Sequence, residues 1–332
     1  MKNTKRLNWF LIGSMVIFPL MAYFHLSIGE IQINFSDLKN SIFSYDAQNT
    51  AHLLAHEFRF PRLIMACVAG AGLSLAGMLM QTLFNNPLAG PYVLGINSGA
   101  SLMVAISLLT GIQFFGTNLG LISAALIGAF AAGMLMMSVT SFLKSQVSLL
   151  LVGLMFGSFT SAIVSFLEVS SKAEQLKSFT LWSMGSLQNV LLEQIPLILF
   201  FFLIGIVLSA LIVKPLNLLV IGENAASLLG IKIQQTRIVI LVITALLTGL
   251  ITAFCGPIAF VGLAVPNITR ILLKTQNHSQ LILGNLIIGS TFLVACDTFI
   301  QYLESSVQLP INVLTSLIGA PFVIIVLIRR TK

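Results

Sequence analysis

Charged side chains are scarce here, 17 Lys plus Arg and 10 Asp plus Glu in 332 residues, so the place of each one carries information. Arg59 and Arg62 flank Pro61 and form a basic corner. An arginine fork engages carboxylates bidentately, so the pair suits docking onto acidic groups or anchoring at a membrane boundary. Asp297 stands in an otherwise uncharged run over 281–303. An acid at membrane depth is costly and counts first as a functional candidate. Standing alone it makes a poor proton relay, and hydrogen bonding between helices is the favoured role. No G-x-x-x-x-G-K-[ST] loop is present, so this chain does not itself cradle ATP. There is no Ser/His/Asp order, no HExxH pair and no CxxC, and His25, His52, His56 and His278 do not gather on one helix face. Cys67, Cys255 and Cys296 lie in apolar runs as small hydrophobes.

The elements that position these groups follow from composition. The chain is 57% hydrophobic and 8% charged, against about 25% charged in soluble domains. It reads as an all-α polytopic membrane protein. A net charge of +7 is carried by singly scattered basic residues, which argues against a nucleic-acid partner. The run 7–28 is too long for a cleaved signal peptide and lacks its small-residue site, so it predicts a first span. The stretch 58–102 predicts a span, a sharp turn at Asn85-Asn86-Pro87 and Gly90-Pro91, and a return span. Between them, residues 29–60 face water, with Ser36-Asp37 capping a short helix through Phe43.

Further uncharged runs at 118–143, 147–167, 195–213, 238–255, 256–269, 281–303 and 311–328 bring the expectation to about ten transmembrane helices. The run 256–269 opens with Gly256-Pro257 and predicts a broken or tilted helix. With ten spans and a cytoplasmic start, 12 of the 17 basic residues fall in cytoplasmic loops. Both termini are then cytoplasmic by the positive-inside rule. Five spans precede the loop 168–194 and five follow, so related halves would form an inverted repeat. Small residues Ala66, Gly70 and Ser74 recur every fourth position and prepare a close helix crossing. Gly153, Gly157, Ser161 and Ser165 form a second such ladder, suited to tight packing or to lining a path. The loop 214–237 holds a short helix over 222–230, with Glu223 and Asn224 at its positive end and Gly230 as its stop. Leu228 and Leu229 give that helix an apolar face which must be buried against something.

Arg59-Phe60-Pro61-Arg62, Asn86-Pro87-Leu88-Ala89 with Pro91, and Gly95 with Ser98-Gly99-Ala100 occur in order within one short stretch. The segment 256–270, GPIAFVGLAVPNITR, forms a second block. Together they resemble the FecCD-type permease subunits of ATP-driven importers for iron–siderophores, haem and cobalamin. The resemblance runs from about residue 10 to 330 and implies one permease domain over 1–332. It implies that Arg59 and Arg62 dock acidic side chains of a substrate-binding protein. Gly222, Glu223, Ala225, Leu228, Leu229 and Gly230 then belong to a coupling helix for the ATPase subunit. Gln146 and Val147 fall at the cytoplasmic gate, and Gly153, Gly157, Ser161 and Ser165 line the path. Two positions depart from the pattern. Asn267 replaces a histidine, which removes any titrating role there, and Gln301 stands where a third basic docking residue is common.

The expected function is thus the membrane-spanning subunit of a binding-protein-dependent importer in the bacterial inner membrane, carrying iron–siderophore complexes, with haem or cobalamin as alternatives. No cofactor is expected on this chain, ATP being bound by the partner. Expected partners are a second copy, two ATP-binding cassette subunits, a periplasmic or lipid-anchored binding protein, and membrane lipid. An ion-coupled secondary transporter is the reading from another class; ATP dependence of flux separates the two.

Overall fold

A computed structural model describes residues 2–29, 31–111, 117–143, 145–303 and 309–331. Every regular element among them is helical. The first half holds α1 (Lys2–Ser27), α2 (Phe35–Phe43), α3 (Thr50–Leu53), α4 (Phe60–Leu83), α5 (Ile96–Thr110), α6 (Thr117–Phe142) and α7 (Gln146–Ser170). The short α8 (Ala173–Ser183) leads to α9 (Ile195–Leu211), α10 (Val213–Leu219) and α11 (Glu223–Leu228). The chain closes with α12 (Ile233–Cys255), α13 (Val261–Leu273), α14 (His278–Leu303) and α15 (Ile311–Thr331). Among the described residues, seven helical segments are long and apolar enough to cross a membrane, and the apolar helices at 96–110, 261–273 and 311–326 are shorter.

The hub is α4, whose membrane segment is mostly buried inside protein. Bare backbone explains how its neighbours come so close. A Cβ on Gly70 would run into the Gly289 carbonyl, and one on Gly289 into the Gly70 carbonyl, so α4 and α14 cross backbone to backbone. Gly77 meets Gly262 of α13 in the same way, and Gly99 of α5 meets Gly128 of α6. Lipid gives no hydrophobic drive for helices to associate, so contacts of this closeness supply van der Waals attraction instead. Ser74, the next small residue along that face, donates to Asn285 Oδ1 at 2.7 Å. The expected small-residue face of the 58–102 stretch is present and is occupied by α14.

Three expectations change in detail. The basic corner is no turn: α3, a wide turn over Leu54–Arg59 and α4 run on as one helical segment. The Phe60 N–H reaches the Ala55 carbonyl, an i to i−5 bond. The widened π-type turn lies immediately ahead of Pro61, which has no N–H to give to an ordinary ladder. Next, α2 begins at Phe35, with Asn34 at the cap position and no side-chain cap bond, so Ser36-Asp37 lie inside the helix. Finally, the broken helix expected over 256–269 divides into a non-helical stretch at 256–260 and α13, which starts only at Val261. Asn312 of α15 satisfies that stretch, donating to the Pro257 carbonyl at 2.7 Å and accepting the Ala259 N–H at 2.8 Å.

Candidate functional site

Two places, at opposite ends of α12, gather the polar side chains. At its C-terminal end a cavity of about 750 Å³ opens between the start of α4, α8, the segment following α8, and α14. Arg59, Arg62, Trp182, Gln188, Cys255 and Asp297 are among the residues around it. Arg62 grips Asp297 bidentately, Nε to Oδ2 at 2.8 Å and Nη2 to Oδ1 at 2.9 Å. His25 of α1 brings Nε2 to 2.8 Å from the same Oδ2. Gln301, oriented to satisfy its neighbours, accepts from His25 Nε2 at 2.9 Å and donates to the carbonyls of His25 and Ile28 at 3.0 Å each. The acid joins α1, α4 and α14, and is 2% exposed. The interhelical role expected of Asp297 is what the geometry displays.

Arg59 points elsewhere. It donates to the carbonyls of Leu26, at 2.6 Å, and Ile31, tying the chain after α1 to the entry of α4. Glu57, a conceivable partner for Arg59, faces His56 at 3.0 Å instead. Both arginines thus border the cavity while already holding groups of their own chain.

At the other end of α12 lies α11. Gly222 (φ 116°) and Gly230 (φ 86°) bound it in backbone conformations that disfavour a side chain. Ala226 is buried, whereas Leu228 is 90% and Leu229 63% exposed. Glu223, its first residue, is held by Arg237 of α12, with Nη2 at 2.7 and 2.9 Å from the two carboxylate oxygens. Arg237 is the last residue of the expected loop 214–237; α12 starts at Ile233 and takes it into its second turn.

The remaining sequence sites separate. Gly153 packs against the Val93 carbonyl and Gly157 against Ser98, but Ser161 and Ser165 are exposed. Four residues advance an α-helix by about 40° beyond one full turn, so three such steps carry the ladder about 120° around α7. Gly153 is buried and Gly157 half-buried in packing contacts, while Ser161 and Ser165 lie on the exposed side of α7. Val147 is exposed at the start of α7, with Ser145 as its N-cap, and the Gln146 side chain lies outside the described residues. Asn267, in place of the expected histidine, donates to the carbonyls of Pro87 at 3.0 Å and Leu263 at 2.8 Å. It pins the turn after α4 to α13, a task needing a donor and no charge.

Sequence reasoning missed His25, Gln301 and Arg237. The signal was present for the first two: an acid inside a span requires partners, and His25 is the one histidine in the first apolar run.

A bundle of long apolar helices crossed at bare glycines marks a multi-pass membrane protein. The sequence comparisons carry this further. Residues 17–329 match the FecCD transport family, and the chain belongs to it. An uncharacterised ABC transporter permease, YvrB of Bacillus subtilis (strain 168), is 37% identical over 278 residues, 82% of this chain and 78% of that protein. The hemin transport system permease HmuU of Yersinia pestis is 31% identical, covering 96% of this chain and 95% of its own. A solved structure described as an inward-facing conformation of a metal-chelate type ABC transporter superposes with a TM-score of 0.84 at 28% identity, over 97% of this chain and 99% of the other. Other relatives are named as permeases for molybdate, ferric hydroxamate and vitamin B12. This chain is an ABC importer permease of the FecCD family, a class whose named members differ in cargo.

Proposed function

We propose that the chain is the translocation subunit of a binding-protein-dependent importer for iron–siderophore complexes, acting as a homodimer with ATP hydrolysed on two separate subunits. On this reading it is a ten-span inverted repeat of the bacterial inner membrane. The observation that carries the coupling half of the proposal is the exposed Leu228–Leu229 pair on α11. An apolar face on a six-residue helix outside the spans is explained by burial in a partner subunit. The exposed side of α7, with Met155, Phe159 and Phe166, supports contact with a second copy, and Gln146 and Val147 stand at its gate-side start. Arg59 and Arg62 border the cavity at the other end and remain the proposed contacts for acidic side chains of the binding protein. Iron–siderophore cargo is supported by the relatives named for ferric hydroxamate import and iron uptake. An ion-coupled carrier is disfavoured because Asp297, the acid within the α14 span, is locked to Arg62 and His25.

The test is uptake of a ferric hydroxamate into proteoliposomes holding the permease, its ATPase and its binding protein, with and without internal ATP. Leu228→Glu is expected to abolish ATP-driven uptake while the permease still assembles, because a buried apolar contact becomes a desolvated charge. Uptake that needs no ATP, or that survives Leu228→Glu, overturns the reading.

A further inference from the structure

The coupling reading leaves open what attaches α11 to the rest of the molecule. Six residues form too short a helix to hold itself together. The glycines at either end have open space where a Cβ would go, so packing does not fix them. Besides the packing of α11 against α10, two attachments stand out in the described structure. One is the buried methyl of Ala226, whose carbonyl accepts the Ile231 N–H at 3.0 Å. The other is the clasp of Arg237 on Glu223, closed by a third contact from Nε at 3.2 Å. Arg237 is 4% exposed. The Glu223 side chain is 32% exposed, so the pair is half-buried and contributes little net stability. What a bidentate pair adds is direction: it fixes the orientation of one rigid element on another.

The clasp also has a mechanical address. From Arg237, α12 runs on to Phe254 and Cys255, which line the cavity at the opposite end. Eighteen residues of helix cover about 27 Å. There the Cys255 carbonyl accepts the Ser186 N–H at 2.8 Å, joining α12 to the segment after α8 that forms another cavity wall. At the near end, Gln234 donates to the Thr140 carbonyl of α6 at 2.9 Å, so α12 keeps its seat by a separate bond.

We propose that Arg237 is the positioning residue that ties α11 to α12, so that displacement of α11 by the ATPase travels along α12 to the cavity wall. This rests on the coupling reading of α11. The loss of the clasp leaves the spans, the cavity and the exposed leucines in place, and loosens the seat of α11 on α12.

The experiment uses the full transporter in proteoliposomes, with the three native cysteines replaced and a fluorophore on Asn189→Cys beside the cavity. The readout is the ATP-dependent change in label signal, which needs no knowledge of the cargo. Arg237→Gln is expected to reduce that change about tenfold, with hydrolysis per assembled complex falling far less. Arg237→Lys, which keeps the charge without the fork, is expected to fall between. The exchange Glu223→Arg with Arg237→Glu is expected to restore most of the signal, which assigns the effect to the pair and not to Arg237 alone. An undiminished signal in Arg237→Gln overturns the assignment, as does loss of assembly that the exchange fails to repair. Leu228→Glu separates the two failures. If it too leaves the signal intact, the coupling reading has failed; if it abolishes the signal and Arg237→Gln does not, only the role of Arg237 has.

Discussion

Arg62 and Asp297, 235 positions apart, share two hydrogen bonds of 2.8 and 2.9 Å and bring the second helical segment against the one before last. Breaking such a buried pair from one side costs about 3–5 kcal/mol, because the survivor keeps its charge and loses its partner. Asp297→Asn and Arg62→Gln are each expected to lower the unfolding midpoint in detergent clearly. The double variant Arg62→Met with Asp297→Leu is expected to recover most of the loss. Single and double variants of equal stability would show that the pair contributes no coupling.

The halves of this relationship were legible to different degrees. Asp297 announced itself as the only acid within an uncharged run, and the structure gives it the interhelical bonds expected. Arg62 was legible as a residue type but not as a partner, since no local pattern reports which of five segments will lie beside it. The glycine ladder on α4 was readable because spacing of four keeps neighbours on one side over two steps. The ladder on α7 divides between packed and exposed members because its third step carries the drift further round the helix. Arg237 could not be found from composition at all: its meaning depends on where α12 begins, and helix ends are what sequence patterns specify least.

Docking at the arginines now requires a cleaner variant than simple charge reversal, since Arg62→Glu would set a second carboxylate against Asp297. Arg62→Gln with Asp297→Asn removes both charges and keeps hydrogen-bonding groups. If the Arg62 charge steers an acidic binding protein, that pair is expected to slow association roughly tenfold at low salt and to flatten its salt dependence. Surface-immobilised transporter and purified binding protein provide the measurement. Unchanged rates at both salt concentrations would assign Arg62 to the interior alone, leaving Arg59 or the lysines Lys172 and Lys177 to dock.

The glycine crossings are tested by a single methyl group. Gly77→Ala drives a Cβ into the backbone of Gly262, which has no side chain to swing aside. Overpacking of this kind costs about 1–3 kcal/mol or more. Gly13→Ala, where a Cβ meets nothing, is the matched control. Loss of folded, monodisperse protein for Gly77→Ala and wild-type behaviour for Gly13→Ala is expected by size-exclusion chromatography. Equal behaviour of the two would mean that α4 and α13 can separate without penalty.

Orientation decides how all of these sites are used. The cavity residues Arg59 and Asn189 and the α11 residues lie at opposite ends of α12, so whichever side of the membrane one faces, the other faces its opposite. On the ten-span reading, the 12-to-5 distribution of basic residues predicts a cytoplasmic α11 end, because Lys and Arg resist translocation. Single cysteines at Ser44, Ala173 and Asn224, in a background lacking the native three, convert this into a yes-or-no measurement with a membrane-impermeant thiol reagent on intact cells. Positions 44 and 173 are expected to label from outside, and 224 only after permeabilisation. Ser44 follows α2 and Ala173 opens α8, the two short helices beside the cavity end, so they are expected to respond alike. Labelling of 224 in intact cells would invert the assignment, moving the exposed leucines out of reach of any cytoplasmic ATPase.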